Sequence, residues 1–322
     1  MSTSVLVTGG AGFIGSHVSE AYVRAGYHVT VLDDLSRGRR ENVPRAAEFI
    51  HADIRSLEAR RLAASGRFSL VNHHAAQIDV RRSMRDPQAD AAVNLDGFLN
   101  ILEGVRTANV GRFVFASSGG AIYADGLALP HSETASKLPT SPYGVAKLSA
   151  EHYLAAFGLS AGLQAVSLRY SNVYGPRQDP EGEGGVVAVF ANRAIKGQPL
   201  HIYGDGEQTR DFVYVTDVAA ANLAASRAPA PDLRDLDSCA FNVGTGVETS
   251  INQLAALIQR TVGRQSEVRY AERQRSEVRR SAITPAKAQL ELAWKPETSL
   301  QHGLSSTIGW LTSSFKTDAV SS

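Results

Sequence analysis

Tyr143 and Lys147 stand four residues apart in SPYGVAK, and no other of the ten tyrosines is followed by lysine at that spacing. Four residues along a helix bring two side chains onto one face. Ser141 is a good N-cap and Pro142 a good first helical residue, so the local sequence predicts a helix opening at Pro142 with Tyr143 in its first turn. A neighbouring ammonium and the positive helix end both favour phenolate, and they predict a phenol pKa below its ordinary value near ~10. Upstream, FASSGGAIY places Ser117 and Ser118 at the end of a strand, where a hydroxyl can hold a substrate hydroxyl. Serine, tyrosine and lysine beside a nicotinamide make a proton relay coupled to hydride transfer.

The segment TGGAGFIGS at 8–16 supplies the matching dinucleotide signal. Gly10, Gly12 and Gly15 satisfy GxGxxG, and Gly9, Gly12 and Gly15 satisfy GxxGxxG. Either way, glycines let the backbone turn tightly against a pyrophosphate whose charge rests on the free N–H groups of the helix starting near Phe13. The next strand ends in Asp33 and Asp34; a carboxylate about 20 residues downstream hydrogen-bonds the adenosine ribose and repels a 2′-phosphate. Asp33 therefore points to NAD over NADP; Arg37, Arg39 and Arg40 nearby keep NADP open as an alternative and read first as a solvated loop face. Asp53 and Ile54, at the end of the third strand, are placed beside the adenine.

These groups need elements to position them. Short β-branched runs alternate with longer amphipathic stretches: 4–8, then 13–25, 28–32, 68–72, 89–108 and 112–116. Such alternation predicts βαβ units and an α/β fold built on a doubly wound parallel sheet. After Tyr170 the rhythm loosens through GPRQDPEGEGG at 175–185. The reading is a first domain over 1–172 to which the chain returns at about 212–245, and a smaller, discontinuous α/β lobe over 173–211 and 246–315, with a fraying tail at 316–322. A length of 322 residues suits that division.

Composition removes several classes of function. A net charge of +1 gives no global attraction to nucleic acid or to an anionic membrane. The lone Cys239 allows no internal disulfide, so a reducing cytoplasm is expected. No stretch reaches the roughly 18 apolar residues of a membrane span, and the start MSTSVLVTGG reads as that of a soluble, mature chain. The adjacent His73 and His74 point to opposite faces of a strand and no HxxxH or CxxC occurs, so no metal is expected. Without a GxSxG elbow, the serines do not read as hydrolytic nucleophiles.

Taken in order, TGGAGFIGSH, LDDLSRGRRENV, HADIR, HHAAQ, ASSGGAIY, SPYGVAK, LRYSNVYGPRQDP, IYGDGEQTRDFVYVTDVA and FNVGTG closely resemble the extended short-chain dehydrogenase/reductases, and among them the UDP-glucose 4-epimerase family. The resemblance implies a Rossmann domain carrying NAD and a C-terminal lobe holding a UDP-sugar. It implies that Tyr143 takes the proton from the sugar 4-hydroxyl, that Lys147 holds the nicotinamide ribose and depresses the Tyr143 pKa, and that Ser118 orients the 4-oxygen. Hydride leaves C4, the 4-keto sugar turns over, and hydride returns to its other face without net redox. Gly9, Gly12, Phe13, Ile14, Gly15, Asp33, Asp34, Asp53, Ile54, Ala75, Ala76, Asn94 and Tyr170, with Tyr143 and Lys147, match the family's cofactor contacts. Ser118, Gly119, Tyr143, Asn172, Val186, Val187, His201, Ile202, Tyr203 and Arg210 match its substrate contacts. A homodimer formed through helices of the first domain is also implied.

Three positions depart from the family pattern or tune it. Where the family carries RxG[DE] to grip the diphosphate and ribose, this chain has Gln274, Arg275, Ser276 and Glu277, so Arg275 or Arg273 would replace the missing arginine beside Arg210. Gly119 and Gly120 leave backbone room near the sugar. Ser281, small where the family limits its pocket, implies acceptance of an N-acetyl group. A 4,6-dehydratase would need an Asp–Glu pair where Gly119 and Gly120 stand. A uronate 4-epimerase would need donors such as Arg81, Arg82 and Ser83. A reductase would consume added NAD(P)H, and a non-enzymatic dinucleotide sensor would lack the Tyr143–Lys147 pair.

Overall fold

Val5, Leu6 and Val7 are wholly buried because their strand, β1 (Ser4–Thr8), is covered on both faces. The computed structural model describes residues 3–181, 185–229, 232, 233, 235–272 and 278–318. After β1 come α1 (Phe13–Arg24), β2 (His28–Asp33), β3 (Glu48–His51), α2 (Leu57–Ala63), β4 (Leu70–His73), α3 (Val80–Arg85), α4 (Pro87–Ala91), α5 (Phe98–Thr107), β5 (Arg112–Ser118), α6 (Gly119–Ile122), α7 (Pro142–Ala161) and β6 (Gln164–Tyr170). The chain continues through β7 (Asn172–Tyr174), α8 (Val186–Ile195), β8 (Leu200–Tyr203), β9 (Thr209–Arg210), β10 (Phe212–Tyr214), α9 (Val215–Arg227), β11 (Ala240–Val243), β12 (Thr249–Ser250), α10 (Ile251–Val262), β13 (Val268–Ala271), α11 (Ala286–Glu291) and α12 (Leu300–Asp318).

The expected doubly wound sheet forms: seven parallel strands in the order β3-β2-β1-β4-β5-β6-β11. Strand order reverses between β1 and β4, and the crevice beyond the carboxyl ends of strands at such a switch point is where open α/β sheets bind ligands. Thr8, His73 and Ser118 end their strands at that edge. One face of the sheet is packed by α1 and α9 around Val18, Tyr22, Val218 and Ala221; the other, by α2, α5 and α7 around Phe98, Leu102 and Leu154. A third apolar cluster joins α8, β8, α10 and α12 through Phe190, Leu200, Leu254, Ile258 and Leu304.

Two local differences from the sequence reading have physical causes. The strand expected at 68–72 lies at Leu70–His73, where its register is set by β1. The single helix expected over 89–108 is α4 and α5 joined by a π-helical turn at Ala92–Gly97. In that turn Asn94 faces inward and bonds Gln77 through both backbone groups, and a Cβ on Gly97 would stand 2.6 Å from Ile54. Such long-range contacts leave no mark in local periodicity.

Candidate active site

The glycine turn is built by close approach. Gly9 has φ +69°, and a Cβ there would stand 2.6 Å from the nitrogen of Ala75. A Cβ on Gly15 would stand 2.1 Å from the carbonyl oxygen of Gly9, and Gly12 is an N-cap with no capping side chain for α1. Phe13 and Ile14 therefore open a helix whose first N–H groups no side chain claims, the arrangement an anionic pyrophosphate requires. Gly10 also has a steric task, since its Cβ would meet Val31 at 2.8 Å.

Asp33 accepts the N–H of Ala11 at 3.0 Å and of Leu35 at 2.8 Å, which aims its carboxylate at the turn and leaves lone pairs for ribose hydroxyls. Burial pushes its pKa up, against those two hydrogen bonds. Asp34 is exposed and caps Ser36 instead. Asp53 lies just past β3 and is ion-paired with Arg55, which holds its carboxyl below the usual range. Ile54 is buried against Gly97. Ala75 and Ala76 follow β4 beside Gly9, the nitrogen of Ala75 donating to Thr8 Oγ1 at 3.3 Å. Asn94 spends its amide on Gln77 and Asp90, so it holds the loop carrying Ala75 and Ala76 from behind. The Tyr170 hydroxyl is likewise spent inside the protein, on Asn222 and His74. The glycine turn, the uncapped helix start and Asp33 together fit a dinucleotide.

His73 and His74 are packing residues. His73 bonds Thr8 and stacks among Phe98, Phe113 and Phe115, while His74 stacks on Tyr170. Burial pulls both pKa values down, that of His74 to about 3. Among the described residues no three His, Cys, Asp or Glu side chains gather as a metal site.

At the end of β5 the acid–base groups meet. Ser141 Oγ accepts the N–H of Gly144 and Pro142 is the first residue of α7, so the helix opens where its sequence places it. Ser118 stands beside the Tyr143 phenol, near enough to favour its ionised form. Lys147 is buried; its Nζ donates to the carbonyl of Ala116 at 2.8 Å and lies 5.8 Å from the Tyr143 ring centroid. The electrostatics differ from the sequence expectation. Burial pushes the Tyr143 phenol up to about 12, with Asp90 adding to the rise and only the neighbouring Ser118 hydroxyl opposing it. The ammonium sits over the ring rather than at the hydroxyl, so desolvation wins. Burial also pulls Lys147 down to about 8, opposed by the carboxylates of Asp90 and Glu151. Ser117 faces the other way and donates to Glu151.

Gly119 requires a second revision. Its missing side chain leaves space that Ile283 fills, since a Cβ there would meet Ile283 Cδ1 at 2.7 Å; only Gly120 borders open space. Ile283 is held by Asp211, a fully buried carboxylate that also accepts from Thr245 and Gly246. No local sequence signal announces Ile283, although Asp211 stands beside Arg210 in TRDF.

The remaining substrate candidates divide by burial. On β8, Leu200 and Ile202 face the third core while His201 and Tyr203 face out, so Ile202 has only its backbone to offer a ligand. Val187 is buried in the same core, and Val186 is partly exposed at the start of α8. Asn172 joins β7 to β10 through Asp211, and Arg210 lies on β9 with one nitrogen donating to the carbonyl of Thr209. Arg81 lies 5.8 Å over the Tyr203 ring, and Ser83 is buried and bonds its own helix. Arg275 and Glu277, with Arg273 and Gln274, lie outside the described residues.

Comparison with known proteins agrees with this geometry. Residues 5–244 match the model of the NAD dependent epimerase/dehydratase family. The UDP-glucose 4-epimerase of Thermotoga maritima, crystallised with UDP-glucose, is 43% identical and superposes with a TM-score of 0.93, covering 97% of this chain and 100% of that one. That of Thermus thermophilus, in complex with NAD, is 42% identical with a TM-score of 0.89, covering 96% and 99%. The UDP-glucose 4-epimerase of Mycolicibacterium smegmatis is 40% identical over 94% of this chain and 96% of its own length. The chain belongs to the NAD-dependent epimerase/dehydratase family.

Proposed function

We propose that this chain is an NAD-dependent UDP-sugar 4-epimerase that interconverts UDP-glucose and UDP-galactose. The observation that carries the reading is the convergence of Ser118, Tyr143 and, one helical turn on, Lys147 at the carboxyl edge of the sheet that also carries the glycine turn. When bound, NAD supplies a reversible hydride acceptor for the sugar C4. Tyr143 Oη takes the 4-hydroxyl proton and later returns it, and Ser118 Oγ holds the 4-oxygen in line. The Lys147 ammonium is kept charged at neutral pH by Asp90 and Glu151 and stabilises the phenolate as it forms. Arg210 serves the diphosphate, its planar guanidinium suited to paired oxygens, and the outward residues of β8 serve the nucleoside. Glycines where a dehydratase needs carboxyl groups, and Ser83 bonded to its own helix, favour this reading over the dehydratase and the uronate epimerase.

The small Ser281 supports a second substrate, the UDP-N-acetylhexosamine pair. The proposal includes a homodimer in a reducing cytoplasm, supported by the single cysteine and by the apolar Met84, Val145 and Tyr153 left exposed along α3 and α7. It also includes the division into an NAD domain, 1–172 with a return at about 212–245, and a sugar-nucleotide lobe, supported by the separate third core. Proton NMR of UDP-glucose, UDP-N-acetylglucosamine and UDP-glucuronate, each incubated with the protein and no reductant, tests the assignment. C4 inversion of the first, with or without the second, is expected; inversion of UDP-glucuronate alone refutes it.

A further inference from the structure

Tyr143, Lys147 and Glu151 follow one another at four-residue steps on α7, and each meets the end of β5. Tyr143 stands beside Ser118, Lys147 donates to the carbonyl of Ala116, and Ser117 Oγ donates to Glu151 Oε1. Helix and strand are thus laced at three successive positions, and only the Glu151 rung is remote from substrate, about 12 Å along the helix axis from Tyr143 at ~1.5 Å per residue.

That rung is anchored by a buried ion pair. Arg169, fully buried on β6 and paired in register with Ser117, directs Nε at both Glu151 oxygens and Nη2 at Oε2, the last at 2.6 Å. Its other donors hold Asp237, the hydroxyl of Tyr123 and the carbonyl of Glu133. These bonds to Glu151, Tyr123, Glu133 and Asp237 leave the glycine turn untouched. An apolar pair of equal volume would glue helix to sheet at lower desolvation cost, whereas charged hydrogen bonds have direction and fix a register.

We propose that Glu151, held by Arg169, is a positioning residue for the acid–base pair, fixing through Ser117 the stagger of β5 against α7 and hence the placement of Ser118 beside Tyr143. This inference rests on the epimerase reading. Its route through Ser117 is geometric and separate from the charge support that Glu151 also gives Lys147, and Ser117→Ala isolates it because that variant keeps the carboxylate.

The test uses the full-length protein with its cofactor, in wild-type form and as Ser117→Ala and Glu151→Gln. Ser117→Ala deletes the rung and keeps the ion pair; Glu151→Gln keeps the shape and deletes the charge. Turnover of UDP-glucose, the Kd of UDP by calorimetry, NAD content and the melting curve are measured together, well below the melting temperature. Both variants should lose roughly 10- to 100-fold in kcat, with KM, UDP affinity and NAD content at wild-type values. Wild-type kcat in Ser117→Ala overturns the proposal, as does a loss of kcat matched by an equal loss of UDP affinity, which marks general loosening. If Glu151→Gln does not fold, Ser117→Ala decides. A wild type that leaves UDP-glucose unchanged defeats the epimerase reading itself, a result distinct from either variant outcome.

Discussion

With the Tyr143 phenol pushed up to about 12 and the Lys147 ammonium pulled down to about 8, the pair rests as a protonated phenol beside a cation at neutral pH. Tyr143→Phe removes only the proton acceptor, so turnover should fall by at least about 10²- to 10⁴-fold while NAD stays bound; cofactor release and a steady-state assay check both halves. The lysine has a stability signature of its own. Its folded pKa is depressed from 10.5 to about 8, so between those pH values the unfolded chain holds a proton that the folded chain has released. Wild-type stability therefore rises across that window, and the cost of the buried cation is present in full below it. In NAD-free protein, Lys147→Met should gain stability at pH 7, on the order of 2 kcal/mol, and the gain should fade by about pH 10.5, as read by denaturant melts across pH. A gain independent of pH would contradict this account. The Tyr143–Lys147 pair was legible from spacing and an N-cap. The direction of the phenol shift was not, because desolvation is set by segments far away in sequence, and the same holds for Ile283 filling the space at Gly119.

Elements carry their own constraints. In the turn from β1 to α1, a Cβ on Gly15 would press on the backbone oxygen of Gly9, which has no rotamer by which to move aside. Gly15→Ala should therefore lose bound NAD and several degrees of melting temperature. Gly120 borders nothing within 4 Å, and Gly120→Ala should keep both. Cofactor content and a thermal melt separate the two variants, and equal behaviour would contradict the steric account. Alternating apolar runs made the parallel sheet readable, since a strand covered on both faces is apolar throughout. The π-helical turn at Ala92–Gly97 was hidden: it exists so that Asn94 can hold the Gln77 backbone, a contact across 17 positions that periodicity does not encode.

At the scale of the molecule, late segments complete an early sheet. α9 lies on α1, where Asn222 joins Asn72 and Tyr22 in one buried hydrogen-bonded group, and β11 adds the edge strand beside β6. Val218, Ala221, Phe241 and Val243 are all essentially unexposed there. A large apolar side chain brought to water costs roughly 1.5–3 kcal/mol, so losing α9 and β11 consumes most of a ~5–15 kcal/mol margin. A fragment ending at residue 172 should show no cooperative unfolding transition by circular dichroism, whereas the full chain should; a cooperative fragment would show that the first part is self-sufficient. The motif strings, each tied to a strand end or helix start, made the family legible. The segment with Gln274 in place of arginine departs from the family pattern and lies outside the described residues, so the proposed anchoring of the diphosphate rests on Arg210 together with Arg273 or Arg275.

In the proposed reaction the hydrogen at C4 leaves and returns as hydride while Tyr143 handles only the proton on oxygen. Incubating UDP-glucose with the protein in deuterium oxide, without added cofactor or reductant, tests it directly. UDP-galactose should accumulate with protium retained at C4 and no lasting reduced-nicotinamide absorbance. Deuterium at C4 of the product, or no galactose at all, would contradict the account.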